Sequence, residues 1–577
     1  MLTILRYLKP YAARMAAGLA IKFSGSVMDL FLPLILAHMI DRIVPLKDIY
    51  AVLLWGLLMA FCSLLALAGN VIANRMASSV ARDATRIIRH DLFEKISLLS
   101  CAQVNLLGIP SLVSRLSSDT YNVHRMLSSM QRMGVRAPIL LLGGILMTLV
   151  LEPSLALILI GTLPFTFLVV FFVIRNGIPL FTGLQEAVDS MVRVVRENAS
   201  GIRVIKALSK TEFEKKRFAE TNETMTRREW KANIVMGVTN PAMFLFLNMG
   251  LVAVIIAGAY QISLGRTQSG VILAFLTYFT IILNATLTIT RMFVMYSRGS
   301  ASAGRIAGVL ALGEDMPVIA ETKKGPDYHI VFEKVRFAYP SRKDLLTDIS
   351  FSLRRGESLG ILGETGSGKS SILQLLLRFY DPDEGAIYIE GKDIRSMHPD
   401  ELYPRFGVAF QRDILFAQSI RENIAFGREL DDDEILRSLR LARAEDFVNA
   451  LPLGMAARIN ARGMNLSGGQ RQRLLIARAL SPPVKGKAEP DILILDDSSS
   501  ALDYRTDAEL RHSLDEHFRN TTKIIVAQRI SSIKHAEHIL VLEKGRILGA
   551  GSHAELLESC ALYREIHDSQ MGEASHA

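Results

Sequence analysis

The run "GETGSGKSS", Gly363 to Ser371, spaces glycines, a lysine and hydroxyls so that one short loop can close on a phosphate. Gly363, Glu364, Thr365, Gly366, Ser367, Gly368, Lys369 and Ser370 fill the pattern G-x-x-x-x-G-K-S, in which glycines let backbone N–H groups approach an anion at a helix N-terminus. In that pattern Lys369 reaches the β- and γ-phosphates, and Ser370, with Ser371 behind it, offers a hydroxyl to Mg2+. A second run, "DILILDDSSSALD", Asp491 to Asp503, reads as a buried strand ending in two carboxylates. Asp496 falls at the strand's carboxyl end, where open α/β sheets bind ligands, and is placed to hold the metal through water. Asp497 follows. A carboxylate that must reach an attacking water calls for a longer side chain, and here it is short.

These groups need a rigid frame, and the sequence around them supplies one. From Tyr328 onward the pattern is strand-rich: "HIVFEKVRFAYP", "DISFSLRRG", then "ESLGILGETGSGKSSILQLLL", which sets the glycine loop after an apolar strand and before a helical run. The N-terminal half is different. Apolar segments run from about Ala16 to Ile40, Ile49 to Ala73, Ala137 to Leu151, Ser154 to Ile174, Val235 to Leu264 and Val271 to Tyr296. Each approaches the ~20 residues a helix needs to cross the hydrocarbon, the third being short unless its neighbours extend it. A chain of 577 residues with a mean hydropathy of +0.27 and 21% charged residues fits a half-membrane, half-soluble protein.

The net charge of +9 raises the question of nucleic acid. Its location answers it, because basic residues from Arg75 to Arg136 crowd the connection between the second and third apolar segments, a membrane-flank signature. Short links such as "DRIVPLKD" and "GRTQSG" carry few cations, so the long links and both termini are expected to be cytoplasmic. The long links, 74 to 136 and 175 to 234, keep helical periodicity and should project as helices beyond the bilayer. The opening "MLTILRYLKPYAARM" reads as an amphipathic helix at the membrane surface rather than a cleavable leader. Cys62, Cys101 and Cys560 lack the spacing of a zinc site or a disulfide framework and read as packing residues. Polar residues within the apolar segments are few: Lys22, Asp29, Asn248, Asn284 and Arg291. The last four are substrate-pathway candidates; the alternative is that Lys22 and Arg291 reach to an interface and Asp29 pairs with a neighbour.

Further motifs carry a family resemblance over nearly the whole length. "LSGGQRQR", from Leu466, Ser467, Gly468, Gly469 and Gln470 to Arg473, is similar to the signature motif of ATP-binding cassette (ABC) transporters. Tyr339 in "FAYP", Gln411 in "VAFQRDILF" and Asp503 in "SALD" follow in family order. The chain resembles a half-transporter of the ABC exporter family. That implies a type I exporter fold, an α-helical membrane domain of six transmembrane helices fused to an α/β P-loop ATPase domain. The divisions expected are a membrane domain at 1–300 with two long intracellular extensions, a linker at 301–328, a nucleotide-binding domain at 329–567 and a tail at 568–577.

By that resemblance Tyr339 stacks on adenine, and Gln411 joins Ser370 and Asp496 around Mg2+. The signature residues act on ATP held by a partner domain, and "LVSRLSSDT" and "EFEKKRF" carry the coupling helices. The family has Glu where Asp497 stands, and His where "KIIVAQRI" has Gln528. Both departures weaken hydrolysis: the carboxylate falls short by roughly 1 to 1.5 Å, which costs on the order of a hundredfold in rate, and glutamine, though it can still donate one hydrogen bond to the γ-phosphate that this position meets in the family, has no imidazole charge or proton chemistry. The expectation is therefore an ATP-retaining, degenerate site in a heterodimer with a second, non-identical half-transporter in a bacterial plasma membrane, exporting amphipathic drugs, lipids or peptides. Alternatives are a homodimeric exporter with slow hydrolysis and an ATP-gated channel or regulatory subunit. Ala461, where many exporters are acidic, weakens the expected contact to the coupling helices.

Overall fold

Apolar residues at helical spacing make the N-terminal half a set of long helices, and alternating and continuous apolar runs make the C-terminal half two sheets. The computed structural model describes residues 2–313, 315–320, 325–339, 345–411, 413–484, 486–487, 489–498 and 500–572. It divides into two units. One comprises Met1–Leu98 and Leu107–Leu312, the other Leu99–Leu106 and Gly313–Ala577.

In the first unit the six helical stretches long and apolar enough to span a bilayer are Thr3–Leu46, Ile49–Ser97, Ile109–Leu151, Pro153–Ala207, Thr211–Ser263 and Ser269–Leu310. The helix Ile49–Ser97 has 49 residues, a length of ~74 Å at ~1.5 Å per residue, against ~30 Å of hydrocarbon. The surplus projects from the bilayer, and the long basic links are helical as expected. Asp48 starts this helix by accepting hydrogen bonds from the N–H groups of Tyr50 and Ala51 at 2.9 and 3.3 Å. The third span is not short: its helix begins at Thr120 and runs unbroken to Leu151 through Pro138. The last helix runs to Leu310, so residues 301–310 continue it.

The rest of the expected linker lies along the second unit. The Arg378 guanidinium donates to the Pro317 carbonyl at 2.9 Å, Ile319 N–H to Arg395 O at 3.0 Å and Gly325 N–H to Gly391 O at 2.8 Å. Residues 314 and 321–324 of that linker, Pro340 of "FAYP" and residues 573–577 of the expected tail fall outside the described residues.

The second unit holds ten strands among the described residues: β1 Ile330–Phe337, β2 Leu346–Leu353, β3 Ser358–Gly363, β4 Glu384–Ile389, β5 Lys392–Asp393, β6 Phe406–Ala409, β7 Ile492–Asp496, β8 Thr522–Val526, β9 His538–Glu543 and β10 Arg546–Gly551. A four-stranded antiparallel sheet has the order β2-β1-β4-β5, and a six-stranded sheet the order β10-β9-β3-β8-β7-β6. In the larger sheet β3 pairs in parallel with β8 and β9, and β7 with β6 and β8. Every residue of β3 and β7 is buried, which is why both read as continuous apolar runs instead of alternating ones.

The short helix Cys101–Leu107 corrects one expectation. "LVSRLSSDT" was placed as the first coupling segment, but the residues that group with the nucleotide unit lie about ten positions earlier, at Leu99–Leu106. There Asn105 donates to the Tyr380 hydroxyl at 2.8 Å, and Ala102 packs against the core of the sheet. Asp119, inside "LVSRLSSDT", instead accepts from Arg305 of the last helix of the membrane unit at 2.9 Å.

Candidate functional site

Strand β3 ends at Gly363, and the loop after it turns into the helix Lys369–Leu376. Two glycines make that turn possible. Gly366 has φ +88° and Gly368 φ +106°, both in the left-handed region that favours glycine, and a Cβ on Gly368 would also sit 2.5 Å from Leu346 Cδ2. The loop's lysine folds back on its own backbone: Lys369 Nζ donates to the carbonyls of Gly363 and Glu364 at 2.7 and 2.8 Å. Burial holds the Lys369 ammonium below its ordinary value. A polyanion is the partner that best replaces those two carbonyls.

Parallel β3, β7 and β8 bring the remaining groups to one edge. Thr365, Gly366, Gly368, Lys369, Ser370 and Ser371 line a cavity of about 340 Å3 with Tyr339, Gln411, Asp496, Asp497 and Gln528. Ser370 Oγ lies 3.3 Å from Asp496 Oδ2, two oxygen donors side by side as a hard divalent cation requires. Asp496 is 6% exposed, and burial raises its pKa above the usual carboxylate value, with the neighbouring Asp497 adding to the rise. These residues fit Mg2+ and a nucleoside triphosphate: a bound cation relieves the carboxylates that burial disfavours.

Asp497 has φ +47°. One of its oxygens, Oδ2, accepts from two amides, Gln411 Nε2 at 2.9 Å and Gln528 Nε2 at 3.2 Å. Burial raises its pKa as well, against the Gln411 hydrogen bond. The two residues that depart from the family pattern are thus bonded to each other, and the third is Gln411.

Tyr339 sits at the cavity edge. Its ring meets Tyr380 and Phe337 edge-on, and its hydroxyl donates to Gln374 at 2.7 Å and lies 3.1 Å from Ser371 Oγ. Gly363, Glu364 and Ser367 belong to the loop but not to the cavity wall; Ser367 is buried beneath it. Asp503 is spent elsewhere, capping the helix Tyr504–His517 by accepting from Thr506 N–H at 2.9 Å and Thr506 Oγ1 at 2.7 Å. The signature residues form the start of the helix Gly468–Leu480, where Ser467 Oγ accepts from Gln470 N–H at 3.3 Å and Gln470 Oε1 accepts from Ser467 N–H at 3.0 Å. Ser467 and Gly468 are exposed, and neither lines the cavity of its own chain. Ala461 is exposed at the start of a turn, Ala461–Gly463.

The sequence reading missed Gln374, Tyr380, Phe410 and Asn105, which line a second cavity of about 490 Å3 next to the first, with Ser370, Gln411 and Asp496 common to both. Gln374 was recoverable, lying one helical turn beyond Ser370 and Ser371; Asn105 was not, because only tertiary contact brings it there.

In the membrane unit Asp29 accepts from Arg136 at 2.9 Å and Asn70 at 3.4 Å, so it is paired. Lys22 does not reach to an interface: it is buried and donates to Asn74 Oδ1 at 3.0 Å. Asn284 is exposed and bonds its own helix at the Thr280 carbonyl, 3.0 Å away; Asn248 and Arg291 are exposed.

Comparison with known proteins places these pieces. The model of the ABC transporter transmembrane region matches residues 15–286, and the ABC transporter model matches residues 346–500. An uncharacterized ABC transporter ATP-binding protein of Bacillus subtilis, YfiB, is 34% identical over 98% of each chain. The chain belongs to the ABC transporter family. A fatty acid ABC transporter ATP-binding/permease protein of Mycobacterium bovis is 32% identical over 83% of this chain and 75% of its own. A bacterial Atm1-family ABC exporter with ATP bound superposes with a TM-score of 0.79, at 25% identity, over 97% of this chain and 98% of that one.

This exporter is therefore an integral membrane transport ATPase, one membrane domain and one nucleotide domain fused in a single half-transporter. It uses ATP with Mg2+; the cation would supply positive charge against the phosphate oxygens. In this chain the loop after β3, the Ser370–Asp496 pair and the cluster of Asp497, Gln411 and Gln528 meet at one cavity, and Ser370 and Asp496 are the oxygen donors that would hold the metal.

Proposed function

We propose that this exporter is the ATP-retaining half of an unequal pair, moving amphipathic substrates out of the cytoplasm by alternating access. One observation carries the reading: Asp497 Oδ2 is held by the amides of both Gln411 and Gln528. A hydrogen bond to an ionised group is worth about 1.5–3 kcal/mol, so two such bonds fix the orientation of a carboxylate already one methylene short and leave Oδ2 a poor acceptor for a water. Gln528 adds no base. Nucleotide binding keeps its full set: Tyr339 against adenine, the phosphate loop, Ser370, Gln411 and Asp496. The exposed signature, Leu466 to Gln470, completes the partner's site, and Asp503 shapes the loop facing it. In this reading the helices that project beyond the bilayer transmit closure of the nucleotide domains to the membrane cavity.

Asp29, Asn248, Asn284 and Arg291 border the substrate pathway in this reading. Arg75, Arg82 and His124 line a cavity of about 620 Å3 with Asn74, Ser78 and Ser79, which favours amphiphiles with an acidic head. The fatty-acid relative agrees with that chemistry.

The test is ATPase activity of this chain purified alone and together with a neighbouring half-transporter. Little turnover alone, a functional pair, and a larger loss on Ser467→Ala than on Lys369→Ala are expected. Brisk turnover by the chain alone sinks the unequal pair and leaves the slow homodimer. Stimulation of the pair by a long-chain carboxylate over an amine of equal length tests the substrate charge.

A further inference from the structure

The C-terminal helix Ala561–Gly572 grips the loop that carries Gln528. Gln570 Oε1 accepts from Ile530 N–H at 2.9 Å, and Gln570 Nε2 donates to the Gln528 carbonyl at 2.9 Å. One side chain thus brackets the backbone on both sides of Arg529, while the Gln528 side chain points the other way, onto Asp497. The helix is in turn fixed. Tyr563 is fully buried in a cluster with Ile530, Ile533, Leu556 and Cys560, and Ile566 packs against it. Tyr563, Ile566 and Gln570 fall at i, i+3 and i+7, so one helical face presents both the apolar anchor and the amide.

We propose that Gln570 is a positioning residue for the γ-phosphate contact of Gln528, so that the C-terminal helix sets how well the site tells ATP from ADP. A backbone held at two points keeps the Gln528 amide within hydrogen-bond reach of the cavity. Without Gln570, the Gln528 carbonyl and Ile530 N–H lose fixed partners, the loop relaxes and the amide is no longer preorganised. ADP lacks the phosphate that Gln528 meets, so its affinity is untouched. The proposal rests on the reading that position 528 faces the γ-phosphate, and it holds for an unequal pair or a homodimer alike.

The experiment measures binding of ATP and of ADP to the full-length chain in detergent, with Mg2+, for wild type, Gln528→Ala, Gln570→Ala, Gln570→Glu and the double variant Gln528→Ala/Gln570→Ala. Gln528→Ala is expected to lower the preference for ATP over ADP by roughly 10- to 150-fold, the worth of one hydrogen bond to a charged group. Gln570→Ala should give a loss in the same direction with an unchanged ADP affinity, and the double variant should lose no more than Gln528→Ala alone. Gln570→Glu keeps the acceptor for Ile530 N–H but not the donor, and should fall between wild type and Gln570→Ala. If Gln528→Ala leaves the preference intact, the γ-phosphate reading of position 528 is wrong. If Gln528→Ala lowers it and Gln570→Ala does not, or if Gln570→Ala weakens ATP and ADP equally, the positioning role is wrong.

Discussion

On the proposed reading, Asp497 and Gln528 alter the chemistry of the hydrolytic step while the phosphate cradle around them stays whole. The phosphate loop is built on backbone geometry, and Gly368 combines a positive φ with a close neighbour. Gly368→Ala places a methyl 2.5 Å from Leu346 Cδ2 at a φ of +106°; a cost of about 1–3 kcal/mol is expected to appear as a roughly 5- to 150-fold loss of ATP affinity, read by titration with a fluorescent analogue. The acid end is more forgiving. Restoring Asp497→Glu together with Gln528→His should raise hydrolysis at this chain's own site by on the order of a hundredfold, the cost assigned to a ~1 Å misplacement. Single-turnover kinetics would show it, and an unchanged rate would mean that the short carboxylate is not what slows the step. These site residues were legible because phosphate and metal impose fixed spacings along the chain. The bonds from Gln411 and Gln528 to one oxygen were not, since three separate loops meet there.

At the scale of elements, buried polar pairs decide which segments move together. Asp119 is 3% exposed and pairs with Arg305, tying the base of one intracellular extension to the last membrane helix. Arg305→Ala strands that carboxylate. Because the arginine side chain is itself 51% exposed, the penalty falls below that of a fully buried pair, at about 1–3 kcal/mol, and a second change, Asp119→Asn, should restore part of the lost thermal stability in detergent. A histidine sets a pH dependence in the nucleotide unit. His329 is buried, with Nδ1 2.7 Å from Thr522 Oγ1 and Nε2 without a partner among the described residues. Burial holds its pKa below the ordinary 6.5. The fold therefore favours the neutral ring, and the stability this adds is present above that value and lost as pH falls toward the depressed one. The unfolding temperature should drop between about pH 7 and pH 5 and drop less in His329→Gln; equal slopes would show that other groups dominate. The coupling segment was misplaced by about ten residues because its apolar residues read equally well as more of the same long helix, and only docking marks out Cys101–Leu107.

For the whole molecule, charge along the chain argues for an orientation with both termini and the nucleotide unit in the cytoplasm. With the three native cysteines replaced by serine, Lys47→Cys should react with an impermeant maleimide in intact cells, whereas Leu208→Cys, exposed at the turn after the helix Ile178–Ala207, should react only after permeabilisation. The reverse pattern would invert the topology. Membrane spans, phosphate loop, signature and the two departures at the hydrolytic step could all be read from the sequence. Each is a local matter, since hydrocarbon thickness sets a helix length and phosphate geometry sets a loop spacing within a few consecutive residues. The pairing of Asp29 with Arg136, the burial of Lys22, the placement of residues 99–106 in the nucleotide unit and the hold of Gln570 on the Gln528 loop were decided by tertiary structure alone. They join residues far apart in sequence, and the energy of a polar contact depends on distance and burial, which spacing along a chain does not encode.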